Sequence, residues 1–194
     1  MAQRVELNPN RKKIIESILL LIEEAARAGF KLTQYDIVKS VFIADLWHLK
    51  KYGRPISFDN YAALPFGPVP SETYNMLKPS YDGARHFGDE WPFWDRAACP
   101  ERGGNSFEYL NPKRSANRRR LSQTDVNELL DAFQFVRTEG FSGVKDWTHM
   151  LEAYTAAWSA RGTKKSSPMD YRLLDECLDA EIVSNIVHAS HFMK

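Results

Sequence analysis

Two polar side chains, Asp45 and His48, interrupt the most apolar segment of the chain and lie three residues apart. On a helix, residues three apart share a face, so this carboxylate and imidazole could form a hydrogen-bonded pair. Such a pair performs acid–base chemistry when it opens into a cleft. The alternative is that each side chain satisfies buried backbone groups of the adjoining loop. We favour the alternative because no nucleophilic group accompanies the pair.

Two histidines near the C-terminal end and the two cysteines are candidate metal ligands or nucleophiles. His188 and His191 have helical spacing, but no cysteine or carboxylate ligand stands at a matching distance. Neither Cys99 nor Cys177 has neighbours in sequence that would lower a thiol pKa, and two cysteines do not form a disulfide framework in a chain of this size. No phosphate-binding loop or nucleophile elbow is present. We therefore expect no metal, no cofactor and no catalytic residue.

A short basic run follows the aromatic middle of the chain. Its members are Lys113, Arg114, Arg118, Arg119 and Arg120. Cations beside aromatic rings suit single-stranded nucleic acid. However, the whole chain has 26 Lys and Arg against 25 Asp and Glu, so no overall field favours nucleic acid. An acidic protein partner fits the same run, and we take Arg118, Arg119 and Arg120 as candidate partner-binding residues.

Apolar periodicity in the first third of the chain predicts two long helices. Residues 10–28 carry apolar side chains at the 3.6-residue period, and Gly29 offers a C-cap. Thr33 followed by Asp36 predicts a capping box that opens a second helix over residues 34–52. Apolar side chains surround this second helix, so it should be the buried, central element.

The rest of the chain predicts further helices. One ends at Pro79, one begins at Ser122 and closes at Gly140, one covers residues 144–160, and a last one begins at Pro168. We therefore expect a mainly α (α+β) fold. It should be a compact bundle of five to seven helices around the central helix, with a small antiparallel β-hairpin or sheet.

Length and composition favour a single domain over residues 1–194 with a substantial core, since 43% of the residues are hydrophobic. We expect a loose arm over residues 1–9 and an irregular, aromatic and basic excursion over residues 80–120. Within the excursion, residues 91–94 could pair with residues 107–110 as a weak hairpin. Apolar runs are too short to cross a membrane, and glutamates interrupt the one segment resembling a signal peptide. A cytoplasmic protein is the simplest expectation.

Three prolines fall within residues 65–70, so this segment cannot be a central strand. Gly67 should supply an unusual backbone angle. A rigid segment loses little entropy on binding, which favours recognition of a partner. The alternative is a structural clasp over the central helix, because Tyr61, Leu64 and Phe66 are apolar enough to belong to the core.

Two runs of sequence carry a family resemblance: ADLWHLKKYGRPI over residues 44–56 and YAALPFGPVPS over residues 61–71. Together they resemble the signature of the Panacea domain, the family of SocA-like antitoxins and phage-associated GepA-like proteins, with Phe66 where tyrosine is common. Trp147-Thr148-His149 resembles a later step of the family pattern. The signature residues that we expect to be structural are Asp45, His48, Tyr52, Gly53, Pro55, Leu64 and His149.

The resemblance implies a bacterial or phage-borne antitoxin that neutralises a toxin encoded next to it by direct protein binding. One branch of the family delivers its toxin to a AAA+ protease, which is the nearest alternative. An enzyme centred on Asp45 and His48 is the remaining rival. The candidate partner-binding residues of the signature are Tyr61, Phe66, Gly67, Pro68 and Val69. The resemblance does not identify the toxin, because one fold serves many partners.

Overall fold

Six α-helices and five short strands make up the described part of the chain. The structure is a computed structural model that describes residues 5–103 and 106–192. Its helices are α1 (Arg11–Arg27), α2 (Gln34–Tyr52), α3 (Ser71–Met76), α4 (Gln123–His149), α5 (Glu152–Ala160) and α6 (Ala180–Phe192). Its strands are β1 (Tyr61–Leu64), β2 (Gly67–Pro70), β3 (Asp95–Ala98), β4 (Phe107–Leu110) and β5 (Ser167–Pro168). The prediction of a mainly helical fold with small antiparallel sheets is confirmed.

Helix α2 is the central element, as its apolar composition predicted. The predicted capping box is present, because Thr33 N donates to Asp36 Oδ2 at 2.8 Å and Asp36 N donates back to Thr33 Oγ1. The helix ends where Gly53 adopts a left-handed conformation with φ of 72°. α2 is buried along most of its length and packs chiefly against α4. Asp45 and His48 are not its only buried polar residues, since Lys39 is also inside the core.

Helix α1 packs its apolar face into the core, and the chain before it is also held in place. Leu7 is buried, its N–H donates to Asn60 Oδ1 at 2.9 Å, and its carbonyl accepts from Asn60 Nδ2 at 2.8 Å. Asn8 N donates to Ser190 Oγ at 3.1 Å. The expected loose arm over residues 1–9 is therefore fixed at these positions, while residues 1–4 lie outside the described residues.

The run over residues 61–71 forms β1 and β2, which join β5 in a three-stranded antiparallel sheet in the order β2-β1-β5. β2 contains Pro68 and Pro70 and lies at an edge of this sheet, so the prediction that this segment is not a central strand is confirmed. Prolines lack the N–H that a central strand must donate. The edge position requires hydrogen bonds on one side of β2 only, from β1.

A second sheet pairs β3 with β4 in the expected excursion. Residues 107–110 form a strand as predicted, but their partner is Asp95–Ala98 and not residues 91–94. Phe93 and Trp94 instead bury their side chains in the core, and Pro92 has no N–H to donate. The predicted hairpin therefore exists with its first strand shifted toward the C-terminus.

The predictions for the last third of the chain need two corrections. Gly140, with φ of 64° and ψ of −170°, interrupts α4 at the residue where the first helix was predicted to close, and a second helical segment of α4 continues to His149. The helix predicted over residues 144–160 is thus broken, because Leu151 is extended before α5 begins. The helix predicted to begin at Pro168 was wrong: that proline pairs with β1 as part of β5, and α6 starts later. None of the described helices is long and apolar enough to span a membrane.

Candidate functional site

Asp45 holds the loop that follows α2. Its fully buried carboxylate accepts hydrogen bonds from Ile56 N and Ser57 N, both at 2.8 Å, from Tyr61 Oη at 2.9 Å, and from the Ser57 hydroxyl. Burial raises the pKa of Asp45, and these four donors act in the opposite direction. The carboxylate therefore has the backbone-satisfying arrangement that the sequence offered as the alternative to acid–base chemistry.

His48 has different partners from Asp45. Its Nδ1 donates to the Arg54 carbonyl at 2.8 Å, and its Nε2 lies 3.0 Å from Thr124 Oγ1 and 3.1 Å from Asp125 Oδ1. Among the described residues, no hydrogen bond joins His48 to Asp45. The imidazole thus links the end of α2 to the start of α4, and the Asp45–His48 acid–base pair, which the sequence left as the less favoured possibility, is not assembled.

The other signature residues at the end of α2 support the same turn. The Tyr52 ring lies 4.5 Å from the His48 ring between centroids and remains half exposed. Gly53 supplies the left-handed C-cap, and Pro55 is buried directly before the loop that Asp45 holds. The run over residues 52–56 thus turns the chain from α2 into the loop that Asp45 holds.

The buried carboxylate of Asp125 pairs with the cations that lie near His48. As part of the predicted cap of α4 it accepts from Ser122 N at 2.9 Å, and it also accepts from Lys13 Nζ and Arg54 Nη2 at 2.5 and 2.9 Å. Burial alone would raise the pKa of Asp125, but the hydrogen bonds from His48 and Lys13 hold that pKa well below its usual range. Only the Ser122 contact is local, so sequence reasoning found the cap and missed the ion pairs.

A further buried carboxylate, that of Asp59, was not predicted. It accepts from Glu72 N and Thr73 N at 2.9 and 2.8 Å and from Thr73 Oγ1 at 2.9 Å, which satisfies the first N–H groups of α3. Burial raises its pKa to about 7. The preceding residue, Phe58, is buried and has a φ of 54°. The loop between α2 and β1 therefore has an uncommon backbone conformation at this residue.

The backbone of the turn between β1 and β2 lies close to side chains of α2 and α4. Lys39 Nζ donates to the Pro68 carbonyl at 2.7 Å. Gly67 has φ of 97°, and a Cβ there would lie 2.6 Å from Thr148 Oγ1 and 2.7 Å from Lys39 Nζ. The predicted unusual angle at Gly67 is confirmed, and there is also no room for a side chain.

The predicted contact residues of the hairpin divide by burial. Tyr61 and Val69 are buried, as are Gly67 and Pro68. The Leu64 carbonyl accepts from Tyr154 Oη at 3.0 Å, and the His149 ring stacks on Tyr154 with centroids 4.4 Å apart. Burial, followed by the charge of nearby Lys39, lowers the pKa of His149. Tyr61, Pro68 and Val69 therefore lie beneath the surface, and Leu64 and His149 are partly buried. Phe66, at the tip of the turn, is 59% exposed.

Phe66 belongs to a cluster that we call the aromatic surface, formed by Tyr35, Phe66 and Phe141. The Phe141 ring lies 5.4 Å from the Phe66 ring and 4.8 Å from the Tyr35 ring, and Tyr35 Oη donates to the Phe141 carbonyl at 3.1 Å. All three line a groove of about 730 Å³. Phe141 is 49% exposed and follows the kink at Gly140. Sequence reasoning missed Tyr35 and Phe141, because only the tertiary fold brings them to Phe66.

The basic run lies elsewhere, since none of its arginines lines this groove. Arg118, Arg119 and Arg120 are exposed, and Arg120 Nε approaches Glu16 Oε1 at 4.0 Å. His188 and His191 lie on α6, and no group of three or more metal-ligating side chains occurs within residues 5–103 and 106–192.

More than half of the chain matches a known protein family. A family model described as "Antitoxin SocA-like, Panacea domain" matches residues 37–154, which is more than half of the chain. The chain belongs to this family. No curated protein and no solved structure matches it. The Panacea match includes Asp45, His48 and the β1–β2 hairpin, whereas α1 and the segment after α5 lie outside it.

Proposed function

We propose that this Panacea-domain protein is an antitoxin that neutralises a cognate toxin protein, encoded next to it, by direct binding and without catalysis. The observation that carries this proposal is the SocA-like antitoxin family match over residues 37–154. Neutralisation by binding requires an accessible, well-ordered surface on the antitoxin. The two free cysteines, Cys99 and Cys177, are compatible with action in the cytoplasm.

The aromatic surface is the site that we assign to toxin contact. Aromatic side chains dominate binding hot spots, because they bury a large area at a small cost in conformational entropy. Phe66 is presented by a turn whose backbone is fixed by Lys39 and by the close approach at Gly67. In this proposal the buried residues of the hairpin hold Phe66 in place and do not contact the toxin themselves. They are Tyr61, Gly67, Pro68 and Val69.

The arrangement of Asp45 and His48 supports binding over catalysis. The Asp45 carboxylate accepts four hydrogen bonds from the neighbouring loop, and the His48 ring nitrogens face Arg54 and the start of α4. Both side chains are buried. An acid–base pair would need a free polar atom turned toward an accessible cleft.

Co-expression tests the proposal. The chain is expressed together with each neighbouring small open reading frame, and growth is measured for the wild type, Phe66→Ala and a control, Phe192→Ala. Phe192 is 71% exposed on α6 and is not part of the aromatic surface. We expect rescue by the wild type and by Phe192→Ala, and loss of rescue by Phe66→Ala at an unchanged melting temperature.

The amount of toxin in the same cells separates the two modes of neutralisation. Binding alone leaves the toxin level unchanged, whereas delivery to a AAA+ protease lowers it when the antitoxin is present. Full rescue by Phe66→Ala would contradict the assignment of the aromatic surface. Failure of the wild type to rescue growth against every neighbouring gene would contradict the proposed function itself.

A further inference from the structure

Residues 113–120, which we call the basic loop, are fixed against α1 by their own backbone. Lys113 N donates to the Phe93 carbonyl at 2.8 Å. Ala116 N donates to Glu23 Oε1 at 2.9 Å, and Asn117 N donates to Glu16 Oε2 at 2.7 Å. Two glutamates of α1 therefore fix the backbone of the basic loop, although its sequence is typical of a solvated loop. A loop already ordered in this way loses little entropy when a partner binds.

The acidic group beneath the loop is already neutralised. Glu16 is buried and receives both Nη1 and Nη2 of Arg114, at 2.9 and 2.8 Å. This bidentate pair leaves little of the Glu16 charge to offset other cations. The outward-facing cations of the loop therefore gain little from Glu16, and the other carboxylate that lines the neighbouring groove is Glu90.

These outward-facing cations lie on the basic loop and near the start of α1, the helix to which the loop is hydrogen-bonded. Lys113, Arg118 and Arg119 are exposed, as is Lys12 on α1, and within the described residues none of the four has an ion-pair partner within 4.0 Å. Beside them lies a groove of about 460 Å³, lined by residues that include Lys12, Arg114 and Arg120. The surface therefore combines fixed backbone, unpaired charge and a concave shape.

We propose that the basic loop and this groove bind an acidic segment of the partner polypeptide. Guanidinium groups pair with carboxylates in a bidentate geometry, and complementary charge speeds and orients association. This inference rests on the proposed function, because the partner in question is the toxin. It adds that the toxin presents a run of Asp or Glu to this face, in addition to whatever contacts the aromatic surface.

Polypeptide fits this surface better than nucleic acid. Nucleic acid binding without sequence readout needs aromatic faces on which bases can stack. Here the rings of Phe87, Trp91 and Phe93 pack on one another at centroid distances of 5.4 to 5.8 Å, and Arg114 covers Phe93. Glu90 also lines the groove and repels any anionic ligand, so the preference for polypeptide over nucleic acid rests on the packing of these rings.

The test uses fluorescence anisotropy with two labelled probes of equal charge, a poly-glutamate peptide and a single-stranded oligodeoxynucleotide. The binding of each is measured for the wild type, for Arg118→Glu/Arg119→Glu and for Lys164→Glu/Lys165→Glu. The last variant is a matched control, because it reverses two exposed charges in the connector after α5. We expect the wild type and the control to bind the peptide more tightly than the oligonucleotide. The arginine variant should bind the peptide about tenfold more weakly, with an unchanged melting temperature.

Three results would overturn the inference: no binding of the peptide, equal losses in the arginine and lysine variants, or tighter binding of the oligonucleotide. The last result would identify a nucleic-acid surface. Because the titration contains no toxin, its outcome does not depend on whether the chain neutralises one. Rescue of growth without peptide binding would contradict this inference alone, and peptide binding without rescue would contradict the proposed function alone.

Discussion

The Tyr171 ring stacks on the Tyr61 ring with centroids 5.5 Å apart and planes 24° from parallel. Tyr61 lies within the matched Panacea segment, whereas Tyr171 comes from the segment after it. The two hydroxyl groups are 3.4 Å apart, and that of Tyr61 also donates to Asp45. Burial, and then the charge of Asp45, raises the pKa of both phenols. The C-terminal segment thus completes the polar core beneath the family signature.

A first prediction compares two tyrosine hydroxyls. Tyr61→Phe removes a donor from the buried Asp45 carboxylate, so we expect it to lower the free energy of unfolding by about 1.5–3 kcal/mol. Tyr154→Phe removes a hydrogen bond to the Leu64 carbonyl and should cost about 0.5–1.5 kcal/mol, because neither group is charged. Urea unfolding of both variants measures the difference. A cost for Tyr61→Phe no larger than that for Tyr154→Phe would contradict a stronger hydrogen bond from the Tyr61 hydroxyl to Asp45.

Much of the fold could be predicted because its signals are local. The capping box of α2 is formed by Thr33 and Asp36, three residues apart, and the cap of α4 repeats that spacing at Ser122 and Asp125. The final segment could not be predicted in the same way. Pro168 resembles the first turn of a helix in sequence, but it is held extended by hydrogen bonds to β1, which lies about a hundred residues earlier in the chain.

The candidate site shows the same division. Phe66 and Gly67 could be singled out from the proline-rich sequence around them. Phe141 could not, because only the kink at Gly140 and the packing of α4 on α2 bring its ring to Phe66. Nor does any local pattern mark Lys39 as buried, since a lysine on a helix normally reaches solvent.

A second prediction concerns pH. Lys39 is 1% exposed, and within the described residues no carboxylate lies within 4.0 Å of its Nζ. Burial lowers its pKa from 10.5 to about 7. Between these two values the unfolded state binds more protons than the folded state, so this group makes the protein more stable as pH rises. Below about pH 7 both states are protonated, and the full cost of burying the ammonium is present.

Lys39→Met isolates this effect. We expect the free energy of unfolding of the variant, relative to the wild type, to fall steadily from pH 7 to pH 10.5, because only the wild type gains stability from deprotonation. Urea unfolding across this range measures it, and other titrating groups cancel in the comparison. The pKa of Asp59 rises only to about 7, so its titration ends where this window begins. Parallel pH profiles for the two proteins would contradict a lowered pKa at Lys39.

A third prediction tests whether the β1–β2 turn needs a residue without a side chain at Gly67. Gly67→Ala places a methyl group 2.6 Å from Thr148 Oγ1 and 2.7 Å from Lys39 Nζ at a φ of 97°. We expect a loss of at least about 1–3 kcal/mol in the free energy of unfolding, since backbone strain alone accounts for that much. Gly162→Ala is the control, because Gly162 also has positive φ but has open space around a Cβ. Equal melting temperatures for the two variants would mean that the turn is not clamped.

The last prediction concerns Phe141, which forms the aromatic surface with Phe66 although nothing in the sequence connects them. If both rings contact the toxin as one surface, Phe141→Ala should weaken toxin binding by about 2 kcal/mol, as expected for an aromatic hot spot. The double variant with Phe66→Ala should lose less than the sum of the two single losses, because each ring positions the other at 5.4 Å. Calorimetry with the toxin identified by co-expression measures all three values.

Met150→Ala serves as the control, because Met150 is among the exposed large apolar side chains and does not line the groove. Additive losses would indicate two independent contacts, and an unchanged affinity in Phe141→Ala would restrict toxin recognition to the turn that carries Phe66.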